Sequence, residues 1–491
     1  MDQAEESALH AVTVAVGNAR PHLVDEWEAT AVVESLGYTD ARVRRNFALA
    51  DARALGERVF DRLSGRHIPV RTADAAATET SQTLGEGVGG SWIYAIPWVA
   101  AFIIDHTVPD GSRMSALPPL TRSLIFSLLV TGGLVYAMSW RARFYVAIGQ
   151  PGFAAFVCGY FFRLGAIVTV AATATGLIIA GYLHRVTWPY LVLSADEFVI
   201  LCALWLTFGV LIVRRQHWRV MGASVVGAIG FLVVRMLGLD ALTARLVALG
   251  AVLAAALVQL PGAFAHSESA ERPPSIPIPR LSILFCRVSP FFWYGTTYFC
   301  LLFADRFLAS GDEALAIDLA LTSFLFAMAA TDYANVTFSH RLDQAAHIPF
   351  VSGSDAFRRV IGRTHLQALT IVGAGFLLTA TIVGGLTKGL LAGGWPHLRI
   401  MLMINDAGYL LLALGMVNVF ALFTLNRPWS AVKAVAASLV LNAATVWAVS
   451  RVIGAHYATA GLLVGSAFLL IQSTIVVRRT VDRADGVLAV I

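Results

Sequence analysis

Twelve stretches of about twenty mostly apolar residues recur along this chain, near 90–106, 120–140, 161–183, 193–213, 219–238, 243–264, 282–305, 313–333, 366–387, 399–424, 428–449 and 457–477. Each has roughly the length that a helix rising about 1.5 Å per residue needs to cross about 30 Å of hydrocarbon. Within hydrocarbon the backbone must satisfy its own polar groups, so each run predicts a spanning helix and the chain as a whole an all-α membrane protein. Composition agrees: 14% of the 491 residues are charged, against about 25% in a soluble domain.

The spacing of the runs repeats. Two helices are followed by a longer polar and amphipathic connection (141–160, then 334–365) and by four helices on short loops. The two sixes meet at HSESAERPPSIPIPR, where Pro273, Pro274, Pro277 and Pro279 forbid a helix. The expected organisation is a cytoplasmic helical module at 1–66, a tether at 67–90, a first lobe at 91–265, a Pro-rich linker at 266–281, a second lobe at 282–480 and a tail at 481–491. An even number of spans per half gives both lobes the same topology, as in transporters built from parallel repeats.

The first 66 residues pattern as soluble helices. Val24, Trp27, Val32 and Leu36 fall roughly at helical intervals, as do Leu55, Val59 and Leu63, with Gly37 as a stop and Thr39-Asp40 as a fresh N-cap. MDQAEESALH has neither the basic nor the apolar region of a signal peptide, which predicts that this module stays in the cytoplasm. With both termini inside, inner loops hold fifteen basic residues and outer loops seven, in accord with the positive-inside rule. The expected topology therefore places both termini in the cytoplasm. Beyond residue 90 the chain has 27 bases against 17 acids, a balance that suits anionic headgroups or an anionic lipid carrier and that positive inner loops alone would also produce. No nucleic-acid partner is expected.

Charges inside apolar runs mark the candidate functional residues, because an intramembrane carboxylate needs a partner, a cation or water. FFWYGTTYFCLLFADRFLAS ends the seventh run with Asp305 and Arg306, which as helix neighbours do not share a face; Arg306 is long enough to snorkel outward and Asp305 is not. The first run ends similarly, with Asp105-His106, and both first-of-lobe helices carry an interior proline, Pro97 and Pro290, where a freed carbonyl permits bending. Asp332 is expected at the inner end of the eighth run, and Asn405-Asp406 one to two turns into the tenth. Trp293 and Tyr294 sit near mid-membrane, where they would stack on a sugar ring or pack in the core. Asp196-Glu197 follows Ser194 in a capping-box pattern, and Asp318 is expected near the outer interface.

Enzyme chemistry finds little support. HExxH, GxSxG and P-loop lysine motifs are absent, the histidines lack metal spacing, and Cys158, Cys202, Cys286 and Cys300 stand alone. GEGVGG in the tether follows no strand. No cofactor is expected; energy would come from a proton or sodium gradient or from synthesis of a polymeric cargo pushing it through.

SWIYAIPWVAAFII resembles the Gly-Pro-Trp-containing first helix of PelG-type exopolysaccharide exporters, with Ile96 in place of the usual glycine. FWYGTTYFCLLFADRFLA is similar to that family's aromatic seventh helix, which ends in Asp-Lys or Asp-Arg, and FAMAATDYANVTFSHRL to the end of its eighth. The resemblance implies the two-lobed fold of the multidrug/oligosaccharidyl-lipid/polysaccharide (MOP) flippase superfamily. It also implies export of a polysaccharide or lipid-linked sugar beside a glycosyltransferase or synthase. On that reading Asp305, Asp332 and Asp406, with Asn405, contact cation or substrate, Arg306 gates or binds an anion, Trp293 and Tyr294 stack, and Pro97 and Pro290 bend. Three rivals stand beside it: a cation-coupled drug or metabolite exporter of the same fold, a membrane glycosyltransferase using Asp105 or Asp110, and a scaffold that recruits a synthase without transporting.

Overall fold

The computed structural model describes residues 3–19, 23, 26–64, 119–147, 151–182, 188–214, 216–260, 281–307, 309, 312–345, 354–387, 396–452 and 459–482. The span expected near 90–106, with Pro97, Asp105 and Asp110, lies outside them, as do the tether and nearly all of the inter-lobe linker. Every described element is helical. Four short helices come first: α1 (Gln3–Ala19), α2 (Glu26–Ser35), α3 (Asp40–Phe47) and α4 (Ala52–Ser64). Then follow α5 (Pro119–Ala147), α6 (Pro151–Tyr182), α7 (Trp188–Val213), α8 (His217–Met236), α9 (Ala241–Val258) and α10 (Leu281–Phe303). A 3-10 turn (Asp305–Phe307) leads to α11 (Asp312–Ala345), α12 (Ser354–Leu386), α13 (Pro396–Thr424), α14 (Pro428–Val452) and α15 (Ala460–Asp482).

Among the described residues nine helices are long and apolar enough to cross a membrane: α5 to α8 and α11 to α15. Helix α9 is apolar but shorter. Helix α10 has 23 residues and packs between α5 and α14, although Arg287, Pro290 and its serine, threonine, tyrosine and tryptophan residues lower its hydropathy.

The second half repeats the first in its packing. Helix α5 packs on α6 and α7, α6 on α7, α7 on α8 and α9, and α8 on α9. In the same order α11 packs on α12 and α13, α12 on α13, α13 on α14 and α15, and α14 on α15. A sequence mark accompanies the repeat: Pro189 and Pro396 stand in the first turns of α7 and α13, each after a tryptophan in the sequence, and acids follow at 196–197 and 406. Proline suits the first turn of a helix, whose amide hydrogens have no internal partner.

The 141–160 and 334–365 connections are mostly helix. Helix α5 runs on to Ala147 and α6 starts at Pro151, while α11 continues to Ala345 and α12 starts at Ser354. Polar residues at the ends of these helices break the apolar run without breaking the helix, because outside hydrocarbon a helix needs no apolar surround.

The N-terminal helices bury Leu9, Val12, Val16, Val33, Leu36, Val43, Phe47, Leu55 and Val59. Leu55 and Val59 were expected inside. On α2, however, Val33 is the buried valine, Val32 is half-buried and Trp27 is exposed with the Arg53 guanidinium 4.4 Å above its ring. Gly37 takes φ +88°, the left-handed conformation that closes a helix, and Thr39 is the N-cap of α3 in extended backbone. The apolar cluster of these helices continues into Tyr145, Ala154, Val157, Val213, Leu284 and Val288. Those residues lie at or near the ends of α5, α6, α7 and α10 that share one face of the bundle.

Candidate functional site

The chain turns sharply after α10, and that turn determines what Asp305 and Arg306 meet. Folding back along α11 brings Arg306 opposite Asp318, with Nε 2.7 Å from Oδ1 and Nη2 3.0 Å from Oδ2. Both side chains are buried in protein, so the Arg306 stem does not snorkel outward to water. A two-pronged, buried guanidinium–carboxylate pair is geometrically specific, and breaking it strands a charge.

Asp305 lies on the other side of the turn. It is 3% exposed, with Asn442 of α14, the Leu462 backbone and Glu313 close by. Neither carboxylate oxygen has a hydrogen-bond partner of good geometry among the described residues, nor does the Asn442 amide. Glu313, equally buried, accepts from the Thr459 amide at 3.3 Å. Tyr409 of α13 reaches into the same group, its hydroxyl donating to the Leu302 carbonyl at 3.4 Å while the charges of Asp305, Asp318 and Arg306 act on its ring. Among the described residues, then, Asp318 is paired with Arg306, while Asp305 and Glu313 are buried beside each other on the other side of the turn. A buried carboxylate is costly unless a partner, a cation, a proton or water relieves it.

Helices α14 and α15 hold this pocket closely. A Cβ on Gly461 would lie 2.3 Å from Val446 Cγ2 and 2.4 Å from Asn442 Oδ1, and one on Gly465 would lie 2.9 Å from the Ser438 carbonyl. Glycines four apart let two helices approach to backbone contact, as in small-xxx-small packing.

A second group of residues joins the halves. Helix α10 crosses α5 where a Cβ on Gly295 would lie 3.0 Å from Gly133 Cα and 3.0 Å from the Gly132 carbonyl. Aromatic rings line the crossing on both sides. Trp140 of α5 stacks on Phe291 of α10 (centroids 4.3 Å apart, planes at 18°), which stacks on Phe423 of α13 at 5.2 Å. One layer further along, Tyr136 meets Tyr294 edge-on at 5.1 Å, and Tyr294 lies over Tyr298 at 5.9 Å. The Tyr294 hydroxyl is 3.7 Å from Met416 Sδ, and Asp332 acts electrostatically on the ring.

The expected residues therefore divide among several places. Asp305 and Arg306 belong to the α10–α11 turn with Glu313, Asp318, Tyr409 and Asn442. Asp332 sits within α11, thirteen residues before its end, and not at its inner tip; it belongs with Tyr294. Tyr294 is wholly buried in the seam, whereas Trp293 is 50% exposed and points away from it. Asn405 is buried with both amide atoms unpartnered among the described residues, one turn from Tyr409 on the same face of α13. Asp406 is half-buried, and its Oδ1 also lacks a partner there. Pro290 lies inside α10, which continues through it. Among the described residues no cluster of histidine, cysteine or carboxylate side chains has metal-holding geometry.

No family model matches the chain, and no curated protein matches it. Solved structures do. A MATE in complex with MaL6 is 15% identical with a TM-score of 0.57, over 83% of this chain and 96% of the other. The Vibrio cholerae MATE transporter VcmN in its bent form is 14% identical at 0.55, over 82% and 98%. An outward-facing multidrug resistance MATE family transporter of the MOP superfamily is 14% identical at 0.54, over 83% and 96%. At that identity the likeness is one of architecture, and the architecture of this chain is that of the MATE transporters.

Proposed function

We propose that the protein is a transporter of a polysaccharide or lipid-linked oligosaccharide in a bacterial cytoplasmic membrane, with twelve spans in two six-helix lobes that work by alternating access. The observation that carries this reading is the seam between two repeats. Among the described residues α10 of the second half packs broadly on α5 of the first, and it does so across glycines and flat rings that slide with little loss of contact. On opening, the tyrosines of that seam would offer faces and hydroxyls together, the combination that suits a sugar ring. The PelG-like seventh and eighth helices support the same substrate class.

Energy enters, on this reading, through the Asp305–Glu313–Asp318 group by exchange of a proton or sodium ion beside the guanidinium of Arg306. Asp406 and Asn405 extend the polar path along α13, and Asp332 lies beside the seam. Both termini are inside, so α1 to α4 face the cytoplasm and can meet a glycosyltransferase or synthase subunit. The reading includes no enzymatic activity.

A second reading is favoured by a structural neighbour described as a multidrug resistance transporter: a drug or metabolite exporter on the same frame. The two are separated by deleting the gene and measuring surface carbohydrate, retained sugar precursor and drug tolerance. Loss of surface polymer with precursor retained inside, restored by the native gene and not by Asp305→Asn, is the expected result. Unchanged polymer with lowered drug tolerance selects the exporter.

A further inference from the structure

A histidine ties three helices of the second half together at the end away from the α10–α11 turn. His365 of α12 holds Nε2 2.7 Å from Oδ1 of Asn418 on α13. Asn418 Nδ2 in turn reaches Thr474 Oγ1 of α15 at 2.8 Å, Ser473 Oγ at 3.0 Å and the Leu470 carbonyl at 3.4 Å. Asn418 is fully buried and His365 half-buried. Tyr409, which reaches the Asp305 group, lies nine residues earlier on α13, about 14 Å along the helix axis.

The direction of these bonds is fixed by chemistry. The Ser473 and Thr474 hydroxyls donate their protons to carbonyls one turn back, at Leu469 and Leu470. What each oxygen can still offer is a lone pair, so Asn418 presents its NH2 to them and its carbonyl oxygen to His365. A carbonyl oxygen only accepts, so the neutral ring carries its proton on Nε2 and leaves Nδ1 bare.

The same direction matters for charge. Asn418 turns its oxygen toward the ring, the hydroxyls turn theirs toward Asn418, and the α15 carbonyls turn theirs toward the hydroxyls. Successive dipoles therefore aim their negative ends at the imidazole. A proton added at Nδ1 leaves the Nε2 bond in place and makes it charge-assisted, hence stronger, in a chain whose members polarise one another. Phe338 of α11 meets the ring edge-on with centroids 6.3 Å apart, and the Arg478 guanidinium of α15 bears on it as a like charge. Arg478 is exposed, so water screens it, whereas the amide network is buried. The other titratable groups along the same ends of the helices packed on α12 are Asp332, Tyr333, His340, Arg341 and Asp343 of α11 and Arg479 and Asp482 of α15, with Arg358, Arg359 and Arg363 on α12 itself; α13 has none after Tyr409.

We propose that His365 is a proton-binding site, with Nδ1 as the accepting atom and Asn418 as the residue that positions the ring. Taking the proton strengthens the tie from α12 through α13 to α15. On the proposed topology the site lies toward the cytoplasmic end, opposite the Asp305 group. That its occupancy alternates during transport rests on the transport reading above; the proton site itself rests on the hydrogen bonds.

The test uses purified full-length protein in detergent with 15N-labelled histidine. The ring resonances lost in His365→Gln, or displaced in Asn418→Leu, belong to His365. At alkaline pH they are expected to show a bare Nδ1 beside a protonated Nε2, and between about pH 8 and pH 5 the Nδ1 shift should move to that of a protonated nitrogen. Asn418→Leu, which removes the acceptor, should leave a mixture of the two neutral tautomers. A proton on Nδ1 at alkaline pH, or an Nδ1 shift constant over that range, overturns the proposal, and a pure Nε2–H tautomer in Asn418→Leu overturns the positioning role. If the resonance titrates while His365→Gln exports surface polymer as the native protein does, the proton site stands and its part in transport falls. If gene deletion leaves surface polymer unchanged, the transport reading falls and the titration still decides the site.

Discussion

Residues at which a charge is buried carry the sharpest consequences. Replacing Arg306 by Ala should cost about 3–5 kcal/mol, because Asp318 is left as an uncompensated buried carboxylate. Exchanging both partners, Arg306→Met with Asp318→Leu, should restore most of that in thermal unfolding, since the fold needs neutrality there more than it needs the pair itself. Tyr38, outside the membrane, gives a pH prediction. Burial pushes its phenol above the ordinary 10.0, and Arg42, 4.4 Å from its ring, partly pulls it back. The folded state therefore holds the phenol proton more tightly than the unfolded state, so this contribution to stability is complete below about pH 10 and lost as pH rises beyond it. Comparing alkaline unfolding of the native protein with Tyr38→Phe checks this; the variant should be the flatter of the two.

Helices are the scale at which close approach matters. Gly295→Leu should drive α10 off α5, because a Cβ there already meets backbone at 3.0 Å. Transport should be lost while α5, α6 and α7 keep their packing, seen as retained expression and a midpoint lowered by about 1–3 kcal/mol of overpacking. At this scale much was legible in the sequence and some was not. Apolar runs locate helices because hydrocarbon demands about twenty such residues in a row. They do not locate helix ends in water, so α6 and α11 are both longer than their runs. Asp305 and Arg306 stood out as charges at the end of a greasy helix. Their partners did not, because Asp318 and Asn442 come to them only through a tight turn and a helix 136 residues away. Glu197 illustrates the opposite error: Ser194 three residues earlier imitates a cap, and only the start of α7 at Trp188 disproves it.

For the molecule as a whole, relative motion of the halves is the quantity to measure. Trp188 and Ile400 lie near the starts of the corresponding helices α7 and α13 and are both exposed, so Trp188→Cys with Ile400→Cys, spin-labelled after the four native cysteines are replaced, reports the gap between halves. Two distance populations are expected, their ratio changed by Asp305→Asn; a single unmoving distance would speak against rocking. Helices α5, α6, α11 and α12 have 29, 32, 34 and 33 residues, each about 44–51 Å long against roughly 30 Å of hydrocarbon. Helices of that length extend past the hydrocarbon, so the outermost turns of each pair answer to headgroups and water rather than to lipid tails, and substitutions there are free of the demand for apolar side chains.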